Sequence, residues 1–163
     1  MKDLQGKFVE IYETFADPIY RHCFFRVYAS GRAEELMQDT FMKYWLYLKE
    51  GNVVQNPRGL LYRIADHLII DEKRKYAAES LDTLIEETGF EPSGTDRTEG
   101  KALLNEVMRE LAQLRDEERR LFIMRYMDDL DPKEIAEITG TTANTVSVQL
   151  NRVREKLRKH HDT

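Results

Sequence analysis

The side chains best suited to chemistry in this chain are amides and guanidinium groups near its C-terminus. Asn144 and Gln149 lie close together, and Arg152 and Arg154 follow them. An amide both donates and accepts hydrogen bonds and can pair with an adenine edge, whereas a guanidinium group suits phosphate. Patterns of an enzyme centre are missing from the sequence, since no Glu-x-x-His pair, Cys-x-x-Cys pair or glycine-rich phosphate loop occurs. A helical enzyme or a carboxylate-metal protein is therefore the least supported interpretation, and no cofactor or metal is expected.

These polar groups need a helix to present them, and the sequence predicts one within a helix-turn-helix from about 131 to 160. Asp131, followed by proline and glutamate, is typical of a helix start. Gly140 tolerates the positive φ of a turn, and Thr142 can cap the next helix. In such motifs the second helix enters a DNA groove. The residues predicted to contact the duplex are Asn144, Thr145, Ser147, Val148, Gln149, Asn151, Arg152 and Arg154.

Charge is distributed unevenly along the chain, although the net charge is -5. Residues 77–100 contain seven acidic residues and a single basic one, Arg97. Residues 141–163, by contrast, contain five basic residues and two acidic ones. The acidic stretch is also rich in turn formers, which predicts a linker with one helical turn at 81–85. The sequence therefore predicts an all-α protein with two small helical domains, 1–78 and 101–163, joined by an acidic linker at 79–100.

The cellular setting follows from what the sequence lacks. No apolar run reaches the roughly 20 residues of a membrane helix. The first six residues are polar, unlike a secretory signal, so a cytoplasmic protein is expected. Cys23 is the only cysteine, which excludes an intrachain disulfide, and its aromatic neighbours predict a place in the core.

Helical spacing of apolar residues predicts three helices in the first domain. Apolar residues recur about every four positions from 8 to 27, with a break or kink at Pro18 and an end at Ser30-Gly31. A second helix is predicted from about 33 to 50. Asn56 is a plausible cap for a third helix that begins with proline.

Two surfaces of this first domain could serve partners. The second helix carries Phe41, Tyr44, Trp45 and Tyr47, more aromatic surface than one small core requires, although helical spacing explains Tyr44 and Trp45 equally well as core. On the third helix, Arg63, His67, Ile70 and Arg74 form an outer stripe. A lone histidine there is usually solvated, but with Tyr62 and Tyr76 it could line a path for single-stranded nucleic acid.

Several spaced motifs occur in series: 33–41 (AEELMQDTF), 61–65 (LYRIA), then Asp71 and 74–75 (RK), 134–136 (EIA), 145–146 (TV) and 152–157 (RVREKL). In this order they resemble a bacterial extracytoplasmic-function (ECF) sigma factor over nearly the whole chain outside the linker. The resemblance implies a transcription initiation factor, not an enzyme, whose partners are core RNA polymerase and promoter DNA. It also implies an anti-sigma factor as a partner, and a linker that threads through the polymerase channel.

The resemblance assigns roles to particular residues. Polymerase contacts fall on the second helix, at Leu36, Gln38, Asp39, Phe41 and Trp45. The melted -10 element, with bases flipped from the stack, is assigned to Arg63, His67, Asp71, Arg74 and Lys75, and the duplex -35 element to the C-terminal helix-turn-helix. His67 replaces a common asparagine, and Ser147-Val148-Gln149 replaces a commonly basic run, so independent DNA binding should be weak and its salt dependence shallow.

A conventional helix-turn-helix regulator is the alternative. It would bind duplex DNA as a dimer and use the N-terminal helices for dimerisation or sensing, but it explains only the C-terminal half of the pattern.

Overall fold

The computed structural model describes residues 2–77 and 98–161, which form two compact units. The first unit contains helices α1 (Lys2–Val27), α2 (Ser30–Lys49) and α3 (Pro57–Ala77). The second contains α4 (Thr98–Ala112), α5 (Asp116–Phe122) with a π-helical turn at Ile123–Met127, α6 (Pro132–Thr139) and α7 (Ala143–His161). No strand occurs in either described range, which confirms the all-α prediction.

The first unit is a hairpin of α1 and α2 against which α3 packs. Its fully buried side chains include Ile19 and Cys23 from α1 and Leu61, Ala65 and Ile69 from α3. The core position predicted for Cys23 is therefore confirmed. Burial of these apolar groups supplies most of the free energy that holds the three helices together.

Helix boundaries in the first unit differ from the prediction at two places. Of the break or kink predicted at Pro18, the break is absent, because α1 continues through this residue and the neighbouring Ile19 is buried in the core. The predicted end at Ser30-Gly31 is wrong, because these residues begin α2. α1 instead ends where Tyr28 adopts a left-handed φ of 59°, and the Tyr28 amide donates to the Phe24 carbonyl at 2.8 Å.

The predicted cap of α3 is confirmed. The Asn56 Oδ1 atom accepts a hydrogen bond from the Gly59 amide at 3.1 Å, and Pro57 occupies the first helical position. This bond satisfies one of the amides that have no partner inside a helix end.

The second unit contains the predicted helix-turn-helix, formed by α6 and α7. At the start of α6 the Asp131 carboxylate accepts from the Glu134 amide at 2.8 Å, and the Glu134 carboxylate accepts from the Asp131 amide at 3.2 Å. Gly140 ends α6 with a φ of 75°, and Thr142 Oγ1 accepts from the Thr145 amide at 3.2 Å at the start of α7. The predicted capping box, glycine turn and threonine cap are all confirmed.

The predicted linker lies largely outside the described residues. Its proposed helical turn at 81–85 is not among them, and its last three residues, 98–100, already belong to α4. Of the helices in residues 2–77 and 98–161, none combines the length and the apolar character needed to cross a membrane.

Candidate nucleic-acid and partner interfaces

The outer face of α7 carries most of the residues predicted to contact a duplex. Val148 is 42% exposed, and the neighbouring face is polar. An exposed valine beside amides is the arrangement that can contact a thymine methyl group. The exposed members of the predicted set are Asn144, Thr145, Val148, Asn151, Arg152 and Arg154, while Ser147 and Gln149 are half-buried at the edges of this face.

One pair on this face is joined within the helix. The Arg154 guanidinium donates to the Asn151 side-chain oxygen three residues earlier. This bond leaves the Asn151 amide nitrogen as a donor, while Arg152 is exposed beside it. The face therefore offers both donors and acceptors to a polar ligand, together with positive charge.

Buried residues on the opposite side of α7 hold it against the rest of the unit. Val146, Leu150 and Val153 are buried, and Ala136 of α6 is small enough for the two helices to cross closely. One ion pair adds to this packing, because Lys156 Nζ lies 3.0 Å from the Glu118 carboxylate on α5. Its position was not predicted from sequence, since 38 residues separate the two groups.

The Glu118 carboxylate is stabilised in its charged form. Burial opposes its ionisation, but a hydrogen bond from the Arg115 amide and the positive charge of Lys156 outweigh that effect and hold the pKa of Glu118 below its usual value. The Arg115 amide lies 2.9 Å from the carboxylate oxygen. Glu118 therefore both caps α5 and binds α7.

The predicted outer stripe of α3 is exposed at Arg63, His67 and Arg74, whereas Ile70 is half-buried. The five residues assigned to the -10 element have exposed side chains along one helix: Arg63, His67, Asp71, Arg74 and Lys75. They give a mainly basic strip, which suits a phosphate backbone. In the part of the chain that the structure describes, no group of three His, Cys, Asp or Glu side chains is placed to hold a metal ion.

Tyr62 does not line this strip. Its side chain is buried in the core, where its ring meets the His22 ring edge-on at a centroid distance of 5.4 Å. The expectation that Tyr62 faces single-stranded nucleic acid is wrong, because α3 turns this position toward α1. The side chain of Tyr76 lies outside the described set.

The opposite side of α3 contains a buried ion pair that sequence reasoning missed. Arg26 Nη1 of α1 lies 2.9 Å from the Asp66 carboxylate, and the two side chains are 3% and 0% exposed. His22 Nε2 is 3.5 Å from the same guanidinium nitrogen. The sequence did contain one indication of this pair: Asp66 lies between Tyr62 and Ile69 on the apolar face of the helix, where a carboxylate needs a buried partner.

The polymerase-contact residues predicted on α2 divide between core and surface. Leu36 and Phe41 are buried, so they contribute little exposed area to this surface. Gln38 and Asp39 are exposed, and Trp45 is half-buried. Tyr44 belongs to the core, where burial raises the pKa of its phenol.

An apolar groove of about 480 Å³ lies between α1 and α2 beside these residues. Phe8 packs on Trp45 at a ring-centroid distance of 5.1 Å, and Tyr12 packs on Phe41 at 4.9 Å. Val9 and Met42 remain 50% and 59% exposed at this site. The lining residues are Gln5, Phe8, Val9, Tyr12, Gln38, Phe41, Met42 and Trp45. Exposed apolar surface of this kind is typical of protein–protein contact.

Two family models match the chain, one in each helical unit. Residues 11–79 match Sigma-70 region 2, and residues 104–157 match Sigma-70, region 4. The first covers the end of the groove at Tyr12, all of α2 and the strip on α3. The second covers the helix-turn-helix.

Relatives with assigned names agree with these matches. The chain is 28% identical to the ECF RNA polymerase sigma factor SigW of Bacillus subtilis, over 95% of this chain and 89% of that protein. It is also 28% identical to RNA polymerase sigma factor YlaC of Bacillus subtilis, over 93% and 90%. Its fold is similar to that of the sigma factor RpoE from Bartonella quintana, solved with the anti-sigma factor NepR, at a TM-score of 0.76 and 19% identity over 98% of this chain and 96% of that one.

A dimeric helix-turn-helix regulator is not favoured, because that alternative explains only the C-terminal half of the chain, whereas residues 11–79 also match a sigma-70 region. Two sigma-70 regions in the order of the family, relatives named as ECF sigma factors and a shared fold lead to one assignment. The chain belongs to the sigma-70 family and is an ECF RNA polymerase sigma factor, a transcription initiation factor that recognises promoters.

Proposed function

We propose that this sigma factor divides its work among three surfaces: the α1–α2 groove with the exposed face of α2 binds core RNA polymerase, α3 binds the melted -10 element, and α7 reads the -35 duplex. The domains are proposed as 1–78 and 101–163, with the acidic segment 79–100 between them. The observation that carries the proposal is the presence of a basic strip and an amide-rich helix face in separate units of one sigma-70 chain.

The polymerase surface is proposed from exposed side chains next to an apolar groove. Gln38 and Asp39 provide polar contacts, while Met42 and Trp45 provide apolar area. Hot spots of protein interfaces combine an aromatic anchor with surrounding polar contacts. Leu36 holds α2 in place from the core, and Phe41 forms part of the groove wall.

The -10 surface is proposed on the outer stripe of α3. Arg63, Arg74 and Lys75 bind the phosphates of one strand, and His67 stacks on or hydrogen-bonds a base. Flipping a base from the stack costs a few kcal/mol, which contacts of this kind offset. Asp71 lies in the same stripe and is proposed to select against bases that present only acceptors to it.

The -35 surface is proposed on α7, where side chains near the helix start read base edges. Asn144 and Gln149 pair with adenine edges, Val148 contacts a thymine methyl group, and Arg152 and Arg154 bind phosphate. Thr145, Ser147 and Asn151 complete the contact face. With so few basic groups, this helix is proposed to hold its site only while polymerase and α3 hold the same DNA.

The protein is proposed to carry out no chemistry of its own and to act in the cytoplasm, where polymerase and promoters are found. RpoE from Bartonella quintana was solved with an anti-sigma factor, and we propose that a partner of that class also binds this chain. Neither a small-molecule substrate nor a cofactor enters the proposed function.

The polymerase surface is tested by charge reversal at two exposed aspartates of the first unit. Asp39→Arg should reduce binding to core polymerase by at least tenfold, because it places positive charge in the proposed contact. Asp17→Arg on α1 is the matched control and should bind as the natural chain does. Circular dichroism checks that both variants fold. Equal binding by the two variants would remove Asp39 from the interface.

The -35 surface is tested with assembled holoenzyme on a library of promoters that vary only in that element. Gln149→Ala and Asn151→Ala should change which bases are preferred, with a loss of about 1–3 kcal/mol of discrimination at the affected positions. Arg158→Gln, an exposed basic residue near the end of α7, is the control and should leave base preference unchanged. If both alanine variants keep the natural preference and change only total stability, the face assignment fails.

A further inference from the structure

The ion pair between Glu118 and Lys156 joins the helix proposed to read DNA to the helix that supports it. Glu118 lies on α5 and Lys156 near the end of α7, with 3.0 Å between the ammonium nitrogen and the carboxylate oxygen. The same carboxylate oxygen accepts from the Arg115 amide at 2.9 Å. The Glu118 side chain is 14% exposed and that of Lys156 is 38% exposed. The Glu118 carboxylate is therefore held by the amide at the start of α5, independently of its contact with Lys156.

Apolar packing sets the rotation of α7 about its axis through shape alone. Val146, Leu150 and Val153 form one buried stripe, and their contacts are not directional. A small rotation of the helix would disturb this packing. It would also turn the exposed face, which includes Val148 and Asn151, relative to any bound duplex.

The ion pair adds a directional contact to this packing. Lys156 follows Val153 by three residues, so it lies at the flank of the stripe, one turn closer to the C-terminus. Its ammonium group points to a fixed acceptor on another helix. A charge-assisted hydrogen bond is strongest over a limited range of distance and angle, so it favours the rotation and axial position of α7 that bring the two groups together.

We propose that Glu118 and Lys156 are positioning residues for -35 recognition, which orient the reading face of α7 without touching the bases. The inference rests on the proposed role of α7 as the reader of the -35 duplex. Lys156 thus differs from the other basic residues of that helix: its charge pairs with Glu118, whereas Arg152 and Arg154 are proposed to bind phosphate.

The experiment measures transcription by holoenzyme assembled with the full chain, on two promoters that share a -10 element and carry either the preferred or a scrambled -35 element. Lys156→Met keeps the apolar stem and removes the charge. Glu118→Gln keeps an oxygen that can accept from the Arg115 amide. Each should lower discrimination between the two promoters by about tenfold, which is the loss of roughly one base contact.

Two further variants separate positioning from general stability. Lys156→Arg keeps the charge and should restore most of the discrimination that Lys156→Met loses. The double variant Glu118→Gln, Lys156→Met should discriminate no worse than Lys156→Met alone, because the two groups act through one contact. A thermal melt of each free chain accompanies the assay, since a purely structural effect would make the loss of discrimination follow the fall in melting temperature from variant to variant.

Salt dependence decides whether Lys156 binds phosphate instead. Lys156→Met should leave the slope of log affinity against log salt unchanged, whereas Arg152→Gln should reduce its magnitude by about one. A reduced slope for Lys156→Met, with no effect of Glu118→Gln, would overturn the proposal and make Lys156 a phosphate contact. A natural chain that does not distinguish the two promoters would instead refute the proposed role of α7, and the positioning role with it.

Discussion

Replacing Asp66 with alanine should destabilise the first helical unit severely, although Asp66 touches no ligand in the proposed function. The Asp66 carboxylate is fully buried and lies 2.9 Å from Arg26, whose side chain is 3% exposed. Truncation would leave the guanidinium charge inside the core with no carboxylate beside it. Breaking a buried pair in this way costs about 3–5 kcal/mol.

That cost is large compared with the stability of a small domain, which is about 5–15 kcal/mol in total. Asp71→Ala is the matched control, because Asp71 lies on the same helix and is exposed. Its effect should stay within about 0.5 kcal/mol. The double variant Arg26→Met, Asp66→Leu removes both charges and fills the space with apolar atoms, so it should recover most of the lost stability.

Urea unfolding of the full chain provides the assay. Trp45 is the only tryptophan and lies in the first unit, so its fluorescence reports on that unit while circular dichroism reports on all helices. An unfolding free energy for Asp66→Ala equal to that of Asp71→Ala would refute the reasoning. So would a double variant as unstable as Asp66→Ala, because the cost would then come from lost packing and not from an unpaired charge.

Three other predictions address separate parts of the chain. The pKa of Glu118 is lowered in the folded state, so its contribution to stability is present above its unfolded pKa of about 4.5 and is lost as pH falls below that value. The difference in unfolding free energy between the natural chain and Glu118→Gln should therefore shrink as pH falls below about 4.5. Gly140→Ala should lower stability by about 1–2 kcal/mol in urea unfolding, because φ is 75° there, whereas Gly31→Ala inside α2 should cause no loss; equal effects would contradict the role of backbone strain. Met42→Glu should weaken polymerase binding at least tenfold and leave the melting temperature within a few degrees, since Met42 is 59% exposed in the groove; unchanged binding would exclude the groove from the interface.

Local sequence signals predicted the helix ends well where a single side chain defines the end. The Asp131–Glu134 capping box, the glycine at 140 and the caps at Thr142 and Asn56 were all predicted and are present. Each depends on residues within three or four positions of one another, so the sequence contains the whole interaction. The end of α1 was missed because Tyr28, a residue that rarely adopts positive φ, makes the turn.

Interactions between distant segments were not predicted, since nothing local marks them. Arg26 and Asp66 are 40 residues apart, and Glu118 and Lys156 are 38 apart. The choice between core and surface on aromatic helices was also incomplete. Leu36 and Phe41 were assigned to a partner surface and Tyr62 to a nucleic-acid path, but only the packing of the three helices shows that these side chains are buried.

The most direct test of the central claim adds the purified full chain to core RNA polymerase that lacks other specificity factors, with fragmented genomic DNA as template. Transcript 5′ ends are then sequenced. The account predicts a stable complex and a defined set of start sites preceded by shared -10 and -35 sequences. Failure to form the complex, together with start sites no different from those of core polymerase alone, would contradict it.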